Sequence, residues 1–318
     1  MRAKITWKQC RDLPITMCNG KTVVINNNVY FRGMGPDPET VDENDDNVLL
    51  CYNYKQDCWI ALPPLPVKWF GLGQVDGKLV AVGGLKMDEE ATNNIYALNF
   101  VQKWKPALPS MPTARCLPGV LSLQSAMIVI GGYSTKGDSV DINAVEIFNT
   151  STMQWYKTTP LPTVCREVSV ATIGDTCYVV GGYRFPFRLN QAFHASISDL
   201  LGNAVPSNHI PTDSGSSDTQ SSWKTLPNTP TYRPAAATLV GSLLTAGGGE
   251  SSIGEADRKE VYMYSLSTNS WIYISDLPAP LSRTTMVELS PTEVLVIGGV
   301  NNGERVNTVY KGTIQINN

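Results

Sequence analysis

Ala126-Met127-Ile128-Val129-Ile130-Gly131-Gly132, then Ala144-Val145-Glu146-Ile147-Phe148-Asn149, then Trp155, then Pro160-Leu161-Pro162: this order of residues decides the fold because the chain repeats it. Working outward from it, an apolar run ends in paired glycines, and a segment with period-two alternation follows. Alternation over so few residues, bounded by Gly and Pro, reads as strands separated by turns. The glycine pair returns as Gly83-Gly84, Gly181-Gly182, Gly247-Gly248 and Gly298-Gly299, with Gly33-Met34-Gly35 as a degraded copy. The tryptophan, with a Leu-Pro or Met-Pro cluster behind it, returns at Trp7, Trp59, Trp104, Trp223 and Trp271. The tryptophan spacing is 45 to 52 residues except where the polar stretch 198–222 widens it to 68. That stretch, with Asp213-Ser214-Gly215-Ser216-Ser217-Asp218, has the composition of a disordered loop. A repeat of this length spanning the chain implies one array of similar units, so 1–318 is expected to be a single domain.

Composition agrees and excludes several classes. The 318 residues are 42% hydrophobic and only 17% charged, with 26 Gly and 21 Pro, the profile of a globular chain rich in strands and turns. A net charge of -3 without a basic stripe argues against nucleic-acid binding. No run approaches the ~20 apolar residues of a membrane helix, and Met1-Arg2-Ala3-Lys4-Ile5-Thr6-Trp7 has no apolar segment behind its charges, so a cytoplasmic protein is expected. The seven cysteines form no C-x-x-C pair and several lie within apolar runs, so they read as reduced structural thiols. His194 and His209 are the only histidines, and no zinc, nucleotide or nucleophile-elbow motif is present. No cofactor or metal is expected.

The repeat of apolar strand, glycine pair, alternating strand, tryptophan and proline resembles the kelch family over nearly the whole chain. The resemblance implies an all-β, six-bladed β-propeller of four-stranded antiparallel blades, with strands a to d in each. The chain begins with a Trp–Leu-Pro piece characteristic of strand d and ends with the alternating Val306–Ile314 characteristic of strand c. The N-terminal strand is therefore expected to complete the last blade and close the ring, which removes exposed sheet edges. Strands a are expected to start near Met17, Trp69, Arg115, Arg166, Arg233 and Arg283. The insertion 198–222 then falls between strands c and d of the fourth blade.

In such a blade the d-to-a links and b-to-c loops share one face, where kelch proteins commonly take ligands. Three residues past the proline of each link stand Met17, Trp69, Arg115, Cys165, Arg233 and Arg283, with Arg166 one step beyond Cys165. The resemblance implies a cationic rim of Arg115, Arg166, Arg233 and Arg283 for carboxylates, which guanidinium groups bind in pairs of hydrogen bonds. Trp69 is a further candidate, as an extra tryptophan outside the repeat. The b-to-c loop of the fourth blade, Tyr183-Arg184-Phe185-Pro186-Phe187-Arg188, has the aromatic and basic make-up of an interface anchor, and Tyr183, Arg184, Phe185 and Arg188 join the expected contact set. The loop of the first blade, Pro36 to Asp46, is acidic, which predicts a polarised face.

The function expected is a protein-binding scaffold for an acidic peptide or protein, not a catalyst. The family includes substrate receptors of cullin-type ubiquitin ligases, cytoskeletal adaptors and a bacterial six-bladed enzyme that epimerises sialic acid. A sugar-acid-converting or sugar-binding propeller is therefore an alternative, and a channel carboxylate or tyrosine beside the arginines, together with a sugar-sized pocket, would favour the enzyme.

Overall fold

In the computed structural model the described residues are 2–35, 48–98, 103–135, 140–207, 221–239, 241–249 and 256–317. Six antiparallel sheets of four strands, one of them with a fifth added, follow one another along the chain. Blade 1 comprises Cys18–Ile25, Asn28–Met34, Leu49–Asn53 and Cys58–Leu62. Blade 2 comprises Gly71–Val75, Lys78–Val82, Ile95–Leu98 and Trp104–Leu108, and blade 3 Gly119–Ser122, Ala126–Ile130, Val145–Asn149 and Gln154–Thr158. Ser169–Ile173, Thr176–Val180, Ala192–Ser196 and Lys224–Leu226 make blade 4; Ala235–Leu239, Ser242–Ala246, Glu260–Ser265 and Ser270–Asp276 make blade 5. Blade 6 takes Thr285–Ser290, Glu293–Asn301 and Glu304–Asn317 from the end of the chain and Arg2–Gln9 from its start. The closing pair runs in register from Arg2↔Asn317 to Gln9↔Tyr310, with Trp7 opposite Gly312. This is the six-bladed propeller expected, sealed by the N-terminal strand.

The core lies between blades rather than within them. Six apolar clusters each join one adjacent pair. Ile128 and Val145 of blade 3 meet Cys177 and Val179 of blade 4, for example, and Leu295 and Val309 of blade 6 meet Val29 and Phe31 of blade 1. Alternation along each strand feeds both faces, so each sheet is apolar on two sides. The repeat tryptophans add a directional bond. The indole nitrogens of Trp104, Trp155 and Trp271 donate to the carbonyls of Pro63, Pro109 and Pro227, at 2.8, 2.7 and 2.8 Å, and Trp59 and Trp223 donate to Arg11 and Thr159. Each donor thus ties its blade to the link entering it. The glycine pairs have φ between 55° and 122°, and a Cβ on Gly131 or Gly298 would meet a carbonyl of the next blade's link at 2.4 or 2.3 Å. Only glycine fits both the angle and the gap.

The insertion departs from expectation over its first part. Ser196 caps a helix at Ile197–Gly202 that buries Ile197 and Leu200, and Val205–Pro206 pairs with Tyr156 and Lys157 as a fifth strand on blade 3. Two apolar side chains at i and i+3 and an unpaired sheet edge are enough to order this segment against the neighbouring blade. Residues 208–220, which include His209, lie outside the described residues, as does the acidic stretch Pro36 to Asp46. All seven cysteines are free thiols, and burial pushes Cys116, Cys165 and Cys177 up to about 12, as inert core groups. No helix among the described residues is long and apolar enough to cross a membrane.

Candidate functional site: the channel mouth

Six equivalent residues ring the mouth of the central channel, one at the head of each inner strand: Asn19, Trp69, Leu117, Glu167, Arg233 and Arg283. All six have left-handed backbones, with φ of 53°, 57°, 55°, 59°, 50° and 50°. In blades 2 to 6 each follows a residue that bridges to the position after the glycine pair, as Cys116 does to Tyr133, Arg166 to Tyr183 and Ser282 to Val300, and in blade 1 Cys18 pairs with Met34 of the degraded copy. Left-handed non-glycine residues are uncommon, and six in a ring show that the link geometry is imposed by the fold.

This ring corrects the count from proline. The d-to-a links differ in length, so three residues past the proline reaches the ring in blades 2, 5 and 6. In blades 1, 3 and 4 it stops two residues short, at Met17, Arg115 and Cys165, all of which are buried. Arg115 is therefore not a rim residue. Its side chain is fully buried, 2.7 Å from the buried Glu146 carboxylate, and it donates to the carbonyls of Gly131 and Ala144 at 2.9 Å each. Glu146 also accepts from the Thr113 hydroxyl at 2.6 Å, so every strong partner of Arg115 is internal to blade 3 or its entering link.

The other arginines gather at the mouth. Arg166 lies between the rings of Tyr133 and Tyr183, at 4.6 and 5.1 Å, and its Nε is 3.4 Å from Asp141. Arg233 approaches the Tyr183 ring at 5.6 Å, pairs with Glu167 and donates to the Asn19 side chain at 2.7 Å. Tyrosine and guanidinium thus alternate in one column, in which each cation faces a ring and holds a carboxylate. Burial, with Arg283 and Arg166 nearby, pulls the Arg233 guanidinium below its ordinary range. Arg283 is half-buried at the ring, and no ion pair or hydrogen bond of its guanidinium occurs among the described residues. Trp69 is half-buried over Leu85, Cys116 and Leu117, with the Lys68 ammonium 5.2 Å from its ring, so it packs on the neighbouring link.

Above the column, Tyr183–Arg184 and Phe187–Arg188 form a small hairpin on the b-to-c side of blade 4. Phe185 is 73% exposed and Phe187 56%, and Arg184 is exposed beside them. The Phe185 amide donates to Asp141 at 3.0 Å, which anchors the tip to blade 3. Arg188 turns the other way; it is buried, and a Cβ on Gly249 would collide with its guanidinium. Arg188 accordingly braces the hairpin against blade 5, an outcome its place in a basic-aromatic run does not reveal.

Below the ring runs a cavity of about 320 Å³, lined by inner strands of all six blades. Lys21 of blade 1 crosses it, its ammonium donating to the Val168 carbonyl of blade 4 at 2.8 Å. Lys21 is half-buried, and burial, with Arg32 and Arg233 nearby, pulls its pKa down to about 7. Arg32 is fully buried behind it, 5.4 Å from the Phe70 ring. At the far end Glu288 accepts from the Thr238 hydroxyl.

The KLHDC2/KLHL20/DRC7 Kelch-repeats domain model matches residues 70–299. The chain belongs to the kelch-repeat family. It is 25% identical to Kelch-like protein terF of Aspergillus terreus over 83% of this chain and 57% of that protein. It is also 25% identical to Kelch-like protein 41b of Danio rerio, over 80% of this chain and 40% of that protein. The chain thus spans about half the length of these curated relatives. A solved structure titled "Structure of YjhT" covers 96% of this chain with a TM-score of 0.73 at 16% identity, and 99% of that structure is covered. At that identity the likeness is one of fold.

Within this kelch propeller, sequence reasoning missed Asn19, Lys21, Arg32 and Glu167. Glu167 could have been found by counting from the glycine pair instead of the proline, because the bridge to the pair is constant in blades 2 to 6; Asn19 stands in the blade whose pair is degraded. Lys21 and Arg32 stand in alternating strands whose other residues are ordinary, and nothing local separates them from surface cations.

Proposed function

We propose that this kelch propeller is a protein-binding scaffold that docks a carboxylate-bearing peptide or loop across the channel mouth. One observation carries the reading: two phenylalanines, exposed at 73% and 56%, stand on the same face as a guanidinium, Arg283, that meets no carboxylate among the described residues. Exposed aromatics held on an anchored hairpin lose little on folding and gain by burial against a partner. Arg184 and Arg283 offer charge, and Arg166 offers the outer surface of a guanidinium already fixed by Tyr133, Tyr183 and Asp141. Arg233 has its carboxylate in Glu167 and serves as support, so Glu167 is a committed partner and not the free channel carboxylate that a sugar-acid-converting site would use. Arg115 and Arg188 stand outside the docking set; Trp69 borders it.

The role extends to a substrate-receptor module in a ubiquitin ligase of the cytoplasm, with the propeller choosing the partner and another chain or segment supplying the rest. The test is selection from a displayed library of random peptides, using the wild type and an Arg184→Ala, Phe185→Ala, Phe187→Ala, Arg283→Ala variant. Peptides rich in Asp and Glu that also carry an apolar residue should be enriched by the wild type and lost by the variant. Enrichment of the same peptides by both would refute the reading.

A further inference from the structure

We propose that the channel beneath the mouth is a binding site for a small free oxyanion, a carboxylate- or phosphate-bearing molecule, held between Lys21, Arg233 and Arg283. The cavity of about 320 Å³ stands at the lower end of the ~300–1,000 Å³ typical of ligand pockets. Three cationic side chains line it near the mouth, a fourth, Arg32, is buried behind Lys21, and Glu167 is the carboxylate at that end. Glu167 is committed to Arg233. Lys21 and Arg283 meet no acidic side chain among the described residues, and the low-dielectric walls strengthen their pull on an anion. Asn19, Ser169 and Thr285 add amide and hydroxyl groups to the lining.

Lys21 supplies the moving part. Among the described residues its ammonium is tied only to the Val168 carbonyl, a neutral acceptor that an oxyanion outcompetes. Charged or titratable groups around it are Arg32 on the next strand of blade 1, Arg233 and Arg283 at the ring, Glu167 paired to Arg233, and the Cys165 thiol. Burial, and then the neighbouring cations, disfavour a charged Lys21; an anion among them favours it. Binding near neutral pH is therefore coupled to uptake of a proton. The site is independent of the aromatic hairpin and does not rest on partner docking.

The experiment is isothermal titration calorimetry of the full chain with inorganic phosphate and, separately, with succinate, at pH 7.5 in two buffers of different ionisation enthalpy. Saturable binding of at least one anion, one per chain, is expected; the arm that binds says whether phosphate or carboxylate is the fitted group. Affinity should fall at least tenfold in Lys21→Met and in Arg283→Gln and stay unchanged in Lys105→Met, which removes an exposed cation of an outer strand. With succinate, which is fully ionised at pH 7.5, proton uptake should be present in the wild type and absent in Lys21→Met; with phosphate, which itself titrates near neutral pH, the wild type should take up more protons than Lys21→Met. Lys21→Arg should restore binding without proton uptake, which a purely structural strut would not do. Heat that fails to saturate with both anions, or equal affinity in the wild type, Lys21→Met and Arg283→Gln, overturns the proposal; Arg283→Gln alters a half-buried ring residue and keeps the test decisive should Lys21→Met fail to fold.

Discussion

Arg115 and Arg283 each stand three residues past a proline in the link between blades, and they do opposite things. Arg115 is fully buried against Glu146 and two carbonyls of its own blade. Arg283 stands on the left-handed ring at the channel mouth, with no described partner for its guanidinium. The link of blade 3 carries two residues between Arg115 and the ring, whereas the link of blade 6 delivers its arginine directly onto it. A change of two positions therefore turns a surface cation into an internal strut. The general lesson is that register in a propeller should be measured from the glycine pair, whose backbone bridges are constant, and not from the proline, whose distance to the ring varies.

The comparison can be broken first at Glu146. Removing one partner of a buried pair leaves the other charge stranded, so Glu146→Ala should cost about 3–5 kcal/mol in denaturant unfolding. A loss under about 1 kcal/mol would return Arg115 to the candidate rim. Gly298→Ala should cost about 1–3 kcal/mol, because it places a Cβ against the Met17 carbonyl at a left-handed angle. Equal stability with the wild type would show that the links are not held by those contacts.

The third test uses pH. Lys21 has a folded pKa of about 7, below its ordinary 10.5, so the unfolded chain binds more protons between those values. The Lys21 contribution to stability accordingly rises with pH from about 7 upward and is flat below, with a slope bounded by about 1.4 kcal/mol per pH unit. Lys21→Met should lose that slope in unfolding curves taken between pH 7 and 9; an unchanged slope would place Lys21 in water. The smallest stability effects belong to the mouth: Arg283→Ala and Phe185→Ala should each stay within about 0.5 kcal/mol of the wild type.

The fold was legible because its determinants are local and repeated. Trp59, Trp104, Trp155, Trp223 and Trp271 each recur with the proline cluster and glycine pair that their position in a blade requires. The order in residues 197–207 was hidden, since it depends on the free edge of another blade and on only two apolar side chains, Ile197 and Leu200. The aromatic hairpin was readable from composition, yet Arg184 and Arg188 could not be told apart there; one is exposed and the other meets Gly249 in blade 5. The ring was unreadable by residue type, because a position fixed by backbone geometry carries Asn, Trp, Leu, Glu, Arg and Arg.

The most direct test of docking at the mouth is the affinity of a selected acidic peptide for Arg283→Ala, read beside the unfolding free energy of the same variant. Binding at least tenfold weaker at unchanged stability is the predicted result. Unchanged affinity, or a loss of affinity that tracks a loss of stability, would contradict it.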